Sequence, residues 1–209
     1  MDRLLARSAE HEKLVVEMLT LPPFDTAKRT KLTHIMCSVS IEHGESLKIL
    51  LASGNFTSSV GLQRLQFEAL VRAVWIFYAA SEVVIEKLSL DLTSTISKTN
   101  EKLPMLSMML QKLEGNAPPN ALNPLLEFKE YSWKPLSSFI HGGIHAINRH
   151  SNGYPGSLLE QTLRASNGVN GMTGYFLAIL TGSTELSKEF HKSFFEFSDC
   201  LPMNRESNL

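Results

Sequence analysis

Cysteine is scarce in this chain of 209 residues: only Cys37 and Cys200 occur, far apart and in no CxxC pair. That excludes a disulfide scaffold and suits free thiols in a reducing cytoplasm. A surplus of charge is lacking as well. Twenty Lys and Arg against twenty-one Asp and Glu leave a formal −1, so no global basic field exists to hold nucleic acid non-specifically, and DNA is not an expected partner. Long apolar runs are missing too. The greasiest stretch, Ala69 to Ala80, carries Arg72 and is flanked by Glu68 and Glu82, whereas a membrane span needs roughly 20 uninterrupted apolar residues. The opening MDRLLARSAEHEKLVVEML is charged throughout and lacks the apolar core of a signal peptide. Together these absences predict a soluble, cytoplasmic, globular protein with no membrane partner.

What is present is helical periodicity almost from end to end. The pattern predicts helices over 3–19, stopped by Pro22-Pro23; 25–53, with Asp25 as N-cap and Gly54 closing it; and 57–88. After a polar connection over 89–102 come 104–113, a long region 123–149 bent or restarted at Pro135, then 157–180 and 184–197. No alternating run long enough for a sheet occurs. The expectation is an all-α, single-domain bundle of five to seven helices over residues 1–200, with 201–209 as a flexible tail.

The third helix carries an unusual set of charges. At about 100° per residue, Arg64, Glu68 and Arg72 fall within roughly 40° of one line. The rest of the helix is apolar almost all round, diluted by Gln63, Gln66 and Ser81, which marks a central buried helix. One carboxylate between two guanidiniums leaves one positive charge over. Either an ion network fixes helix register, or the surplus marks a pocket for phosphate or carboxylate, which a guanidinium fork suits. Arg72, set among Val71, Val74, Trp75 and Ile76, is expected to be largely buried and bonded to a carboxylate.

A second polar stripe runs through KPLSSFIHGGIHAINRH, residues 134–150. Read as one helix, it puts Ser138, His141 and His145 on one face and Leu136, Phe139, Ile140, Ile144 and Ile147 on the other. Three readings stay open: a solvated stripe, a site for acid–base or anion-binding work, and a metal site built on the HxxxH spacing. The last lacks the Glu that follows the first His in HExxH and needs a third ligand such as Glu42, His43 or Glu68; no metal and no cofactor is the expectation.

Gly168, Gly171 and Gly174 recur with no strand before them, so they suit close helix packing rather than a dinucleotide loop. Met105, Met108 and Met109 read as gap-filling core. Phe190, Phe194, Phe195 and Phe197 form a packing face whose leftover, with the glycine-spaced helix, would make a two-fold homodimer surface.

GLQRLQFEALVRAVWIFYAAS (61–81) and LSSFIHGGIHAINRH (136–150) resemble a group of uncharacterised bacterial helical proteins with an R-x-x-x-E-x-x-x-R central helix and a later S-x-x-x-H-G helix. That group is similar in turn to the HEPN class of helical bundles, many of which act as RNases in toxin–antitoxin and abortive-infection systems. HEPN nucleases carry an Arg followed four to six residues later by His, on one helix of a dimeric bundle; here Arg29 and His34 fit that spacing. The resemblance implies RNA or another phosphate-bearing ligand. The residues then fall into roles, with His141, His145, Arg64 and Arg72 as catalytic candidates and Glu68 and Ser138 as binding candidates. If the protein is an enzyme, the expected chemistry is metal-independent RNA cleavage. The competing expectation is a non-enzymatic binding or assembly module with structural charges.

Overall fold

The computed structural model describes residues 1–90 and 103–202. Among these residues there are nine helices and no strand. The helices are α1 (Asp2–Thr20), α2 (Lys28–Ala52), α3 (Phe56–Tyr78), α4 (Glu82–Leu88), α5 (Leu106–Leu113), α6 (Pro119–Ile140), α7 (Ile144–Asn152), α8 (Gly156–Leu180) and α9 (Thr184–Glu196). The all-α expectation is met, with nine helices in place of five to seven. Most of the polar connection expected over 89–102, and the tail from residue 203, lie outside the described residues.

Two breaks raise the count. Residues 57–88 do not make one helix, because α3 ends at Tyr78. Arg29 of α2 donates there to the carbonyls of Ile76 and Ala80 and pairs with Glu82 at 2.6 Å. A cation on the last carbonyls of a helix is favourable and satisfies acceptors that continued helix would otherwise take. The second break falls at His141–Gly143 and not at Pro135, which α6 accommodates within its length. Gly142 adopts φ +62°, a left-handed conformation that only glycine takes readily. The Gly143 N–H then donates to Ser138 O at 2.7 Å, and α7 starts anew. The N-cap of α2 also differs from expectation. Asp25 accepts from the Ala27 N–H two residues on, forming a turn ahead of the helix, and Ala27 takes the cap position.

The core forms around α3, which packs along α2 in a hairpin turned at Gly54 (φ +79°), and also against α5, α6 and α8. Phe67, Leu70, Trp75 and Ile76 are buried on it, together with Ile85, Met109, Leu113, Leu125 and Leu177. Of the three methionines expected inside, only Met109 is buried; Met108 is exposed because α5 is amphipathic and turns it outward, and Met105, at the cap ahead of α5, is exposed as well. The glycines of α8 behave as small-residue contacts. A Cβ on Gly174 would come within 2.3 Å of the Phe190 ring, one on Gly171 within 2.9 Å of Phe194, and one on Gly168 within 2.9 Å of Pro202. The aromatic face of α9 is therefore largely used within the chain, and Phe195 is left standing out at 76 % exposure. Leu201 is buried against Phe197 and Cys200, so the start of the expected tail belongs to the packed body.

Candidate functional site

The two polar stripes meet where the α6–α7 break crosses α3. Arg64 donates from Nη1 to His141 Nε2 at 3.0 Å. Its guanidinium carbon lies 4.3 Å from the centre of the Trp133 ring, and its Nε lies 3.9 Å from the Glu68 carboxylate. A guanidinium only donates hydrogen bonds, so His141 Nε2 accepts and Nδ1 carries the ring proton. The Arg64 side chain is 15 % exposed, that of Glu68 is 27 %, and His141 is exposed. Arg64 is thus a sheltered cation whose neighbouring imidazole opens onto solvent.

The other candidates do not join this cluster. Arg72 is half-buried and, among the described residues, forms no hydrogen bond and no ion pair, contrary to its expected carboxylate partner. Its long stem can lie over apolar surface while the head stays hydrated, so apolar neighbours in sequence do not demand a partner. His145 and His141 stand on opposite sides of the break. The His145 ring stacks on Phe139 with centroids 6.3 Å apart, and its backbone N–H donates to Ser138 Oγ at 3.0 Å. Ser138 is accordingly occupied in capping α7. A Cβ on Gly143 would strike Ser138 Oγ at 2.6 Å, which accounts for glycine at that position. The break removes the i,i+4 helical spacing on which a metal pair was considered, and among the described residues no three His, Cys, Asp or Glu side chains gather as a metal cluster. Arg29 and His34, the HEPN-like spacing match, are committed elsewhere: Arg29 to the end of α3, and His34 Nε2 to Leu19 O at 3.0 Å.

A second polar cluster went unrecognised in the sequence. It is a seam inside the bundle between α1, α2, α3 and α8. Gln66 is fully buried, donating to Ser166 O at 3.1 Å and Asn170 Oδ1 at 2.9 Å and accepting from Ser166 Oγ at 2.8 Å. Ser40 Oγ donates to Gln66 O at 2.9 Å. Asn167 donates to Ser8 Oγ and to Cys200 O at 2.7 and 2.9 Å. Gly44 lets the amides approach, since a Cβ there would lie 2.6 Å from Gln66 Nε2. At one end Lys48 pairs with Glu12 at 2.6 Å, both largely buried. Burial lowers the Lys48 ammonium from its usual range, opposed by Glu12. His11 is fully buried, and burial, reinforced by the charges of Lys48 and Arg7, pushes its imidazole down to about 4. The signal for this seam was Ser166, Asn167, Asn170 and Thr173 recurring within an otherwise apolar helix. Trp133, the platform under Arg64, was also missed, because pairing across helices leaves no spacing to read.

Residues 37–203, most of the chain, match the model of a family of unknown function, DUF6988, and the chain belongs to that family. The comparison with curated proteins gives no match, and neither does the comparison with solved structures. No helix among the described residues is long and apolar enough to cross a membrane.

Proposed function

We propose that this member of the DUF6988 family is a HEPN-like, cytoplasmic bacterial protein that grips a phosphate of RNA at the Arg64–His141 pair and cleaves the strand without a metal ion. The observation that carries this reading is the 3.0 Å contact between an arginine and a histidine 77 positions apart in the chain. A guanidinium fork suits a phosphate, and an imidazole is suited to proton transfer near neutral pH. In the reaction, His141 Nε2 takes the proton of a 2′-hydroxyl, whose oxygen attacks the adjacent phosphorus. The bond to the 5′-oxygen breaks, that oxygen takes a proton from water, and a 2′,3′-cyclic phosphate remains. Arg64 stabilises the pentavalent phosphorus group. In the free chain Arg64 occupies the Nε2 lone pair, so a bound phosphate has to draw the guanidinium off the ring before His141 acts. A role in defence or toxin systems belongs with this reading through the HEPN resemblance alone.

The test is cleavage of fluorescent single-stranded RNAs in the presence of a chelator. His141→Ala and Arg64→Ala should each lower the rate by about a hundredfold or more while leaving the melting temperature close to wild type. An inactive wild type across a panel of RNAs, or activity indifferent to both changes, overturns the proposal.

A second reading, a non-enzymatic binding or assembly module, is favoured by one observation: Arg64 is already engaged by Trp133, Glu68 and His141 within the chain. On that reading Glu68→Ala lowers the melting temperature and there is no activity to lose. A homodimer suits either reading. With the α9 face mostly consumed, the supporting surface is Ile144 and Ile147 on α7, 76 % and 66 % exposed beside His141. A clean monomer by light scattering at tens of micromolar removes the dimer.

A further inference from the structure

We propose that the cleft between the start of α3 and the end of α7 is a second binding site, taking the phosphate of a phosphomonoester that also carries a ring, as a nucleoside monophosphate does. It stands whether or not the Arg64–His141 pair cleaves RNA. The cleft has a volume of about 350 Å³, and its lining includes Phe56, Thr57, Ser58, Arg149, His150 and Tyr154. No carboxylate lines it. Arg149 is half-buried and its side chain makes no hydrogen bond or ion pair among the described residues, so none of these residues balances its positive charge.

The polar groups around it are held in place. Thr57 Oγ1 lies 3.1 Å from His150 Nδ1 and 2.9 Å from the Tyr154 hydroxyl, which anchors the imidazole through one nitrogen and leaves Nε2 for a ligand. An uncompensated guanidinium beside an anchored imidazole and the Ser58 hydroxyl supplies the donors that a phosphate dianion accepts. A phosphate alone leaves much of this volume empty. Phe56 and Tyr154, with ring centres 5.4 Å apart, form an apolar wall on which a second ring can rest. Thr57 and Arg64 share one face of α3, seven residues apart, so the two sites are separated by roughly 10 Å along the helix. One phosphate cannot occupy both.

The experiment is a titration of the isotope-labelled full chain, followed by backbone amide shifts, with inorganic phosphate, adenosine monophosphate and adenosine at constant ionic strength. The expected result is saturable shifts at Thr57, Ser58 and Gly153, with adenosine monophosphate binding more tightly than phosphate or adenosine. Arg149→Gln and His150→Gln should each weaken that binding by about tenfold, the loss of a charge-assisted hydrogen bond. Arg64→Gln should leave it unchanged, which separates this site from the proposed RNA site. The proposal is overturned by shifts that do not saturate, by equal affinity in Arg149→Gln, or by a monophosphate that binds no better than phosphate or adenosine.

Discussion

The seam around Gln66 and the rim around Arg64 are built on the same helix, and they use polar groups in opposite ways. In the seam, uncharged amides and hydroxyls bond one another at 2.8–3.1 Å with no water-facing side, with Asn167 Oδ1 and Asn170 Nδ2 left without a partner among the described residues. At the rim a charged group rests on an aromatic face beside an exposed imidazole. A buried polar group left without a partner costs far more than a solvated one, so the seam fixes how α2, α3 and α8 register. The rim can exchange its partners for a ligand at little cost to the fold. The residues that hold the fold and those of the proposed ligand site are thereby separated by a few positions along α3.

The largest expected effect lies where the seam carries charge. Lys48→Met leaves Glu12 buried without its cation and should lower unfolding free energy by about 3 kcal/mol or more in urea denaturation. Adding Glu12→Leu should recover most of that loss, since replacing both members removes the unpaired charge. A Lys48→Met protein of wild-type stability would erase the distinction between the two regions.

Acid should separate them next. The His11 imidazole sits at about 4 in the folded chain against a usual 6.5. The unfolded chain therefore binds the extra proton first, and stability falls as pH drops. The contribution is complete above pH 6.5 and is lost progressively towards pH 4, a slope worth roughly 3 kcal/mol at most. Denaturation followed across this range should show the slope, and His11→Leu should flatten it.

Gln66→Leu strips the partners from Ser166 and Asn170 and should cost about 2 kcal/mol, measured by thermal melting. The rim should respond far less. His141→Ala should change stability by under about 1 kcal/mol in the same measurement, whatever it does to activity. Arg72→Ala, with no partner among the described residues to strand, should stay within about 0.5 kcal/mol. A loss of several kcal/mol at Arg72 would mean that it is held more tightly than its surroundings indicate.

Periodicity alone located most helical regions, because an apolar stripe at 3.6 residues is a local property of the chain. It also made α3 central. The glycines of α8 were legible as contact points for the same reason: a missing side chain permits close approach wherever the helix goes. Less of the site could be read. Arg64 and His141 were each singled out, and their meeting was left as a possibility across the bundle. Arg72 was given a carboxylate partner that it does not have among the described residues, because a helical wheel gives direction without depth. The histidine stripe was drawn as one helix, although the Gly142-Gly143 pair marked where it parts.

The sequence by itself determined an all-α chain, a nearly apolar central helix, and the residue types available for anion chemistry. All of these follow from composition and short-range spacing. Only the tertiary structure decided that Arg29 ends α3, that Ser138 is taken up as a cap, and that Arg64 rests on Trp133 and reaches His141. It also decided that the amides of α8 close over Gln66 instead of facing water. Each of these contacts joins residues from different helices, and its energy depends on burial and on distances of a few tenths of an ångström. Local propensity carries no information about either quantity.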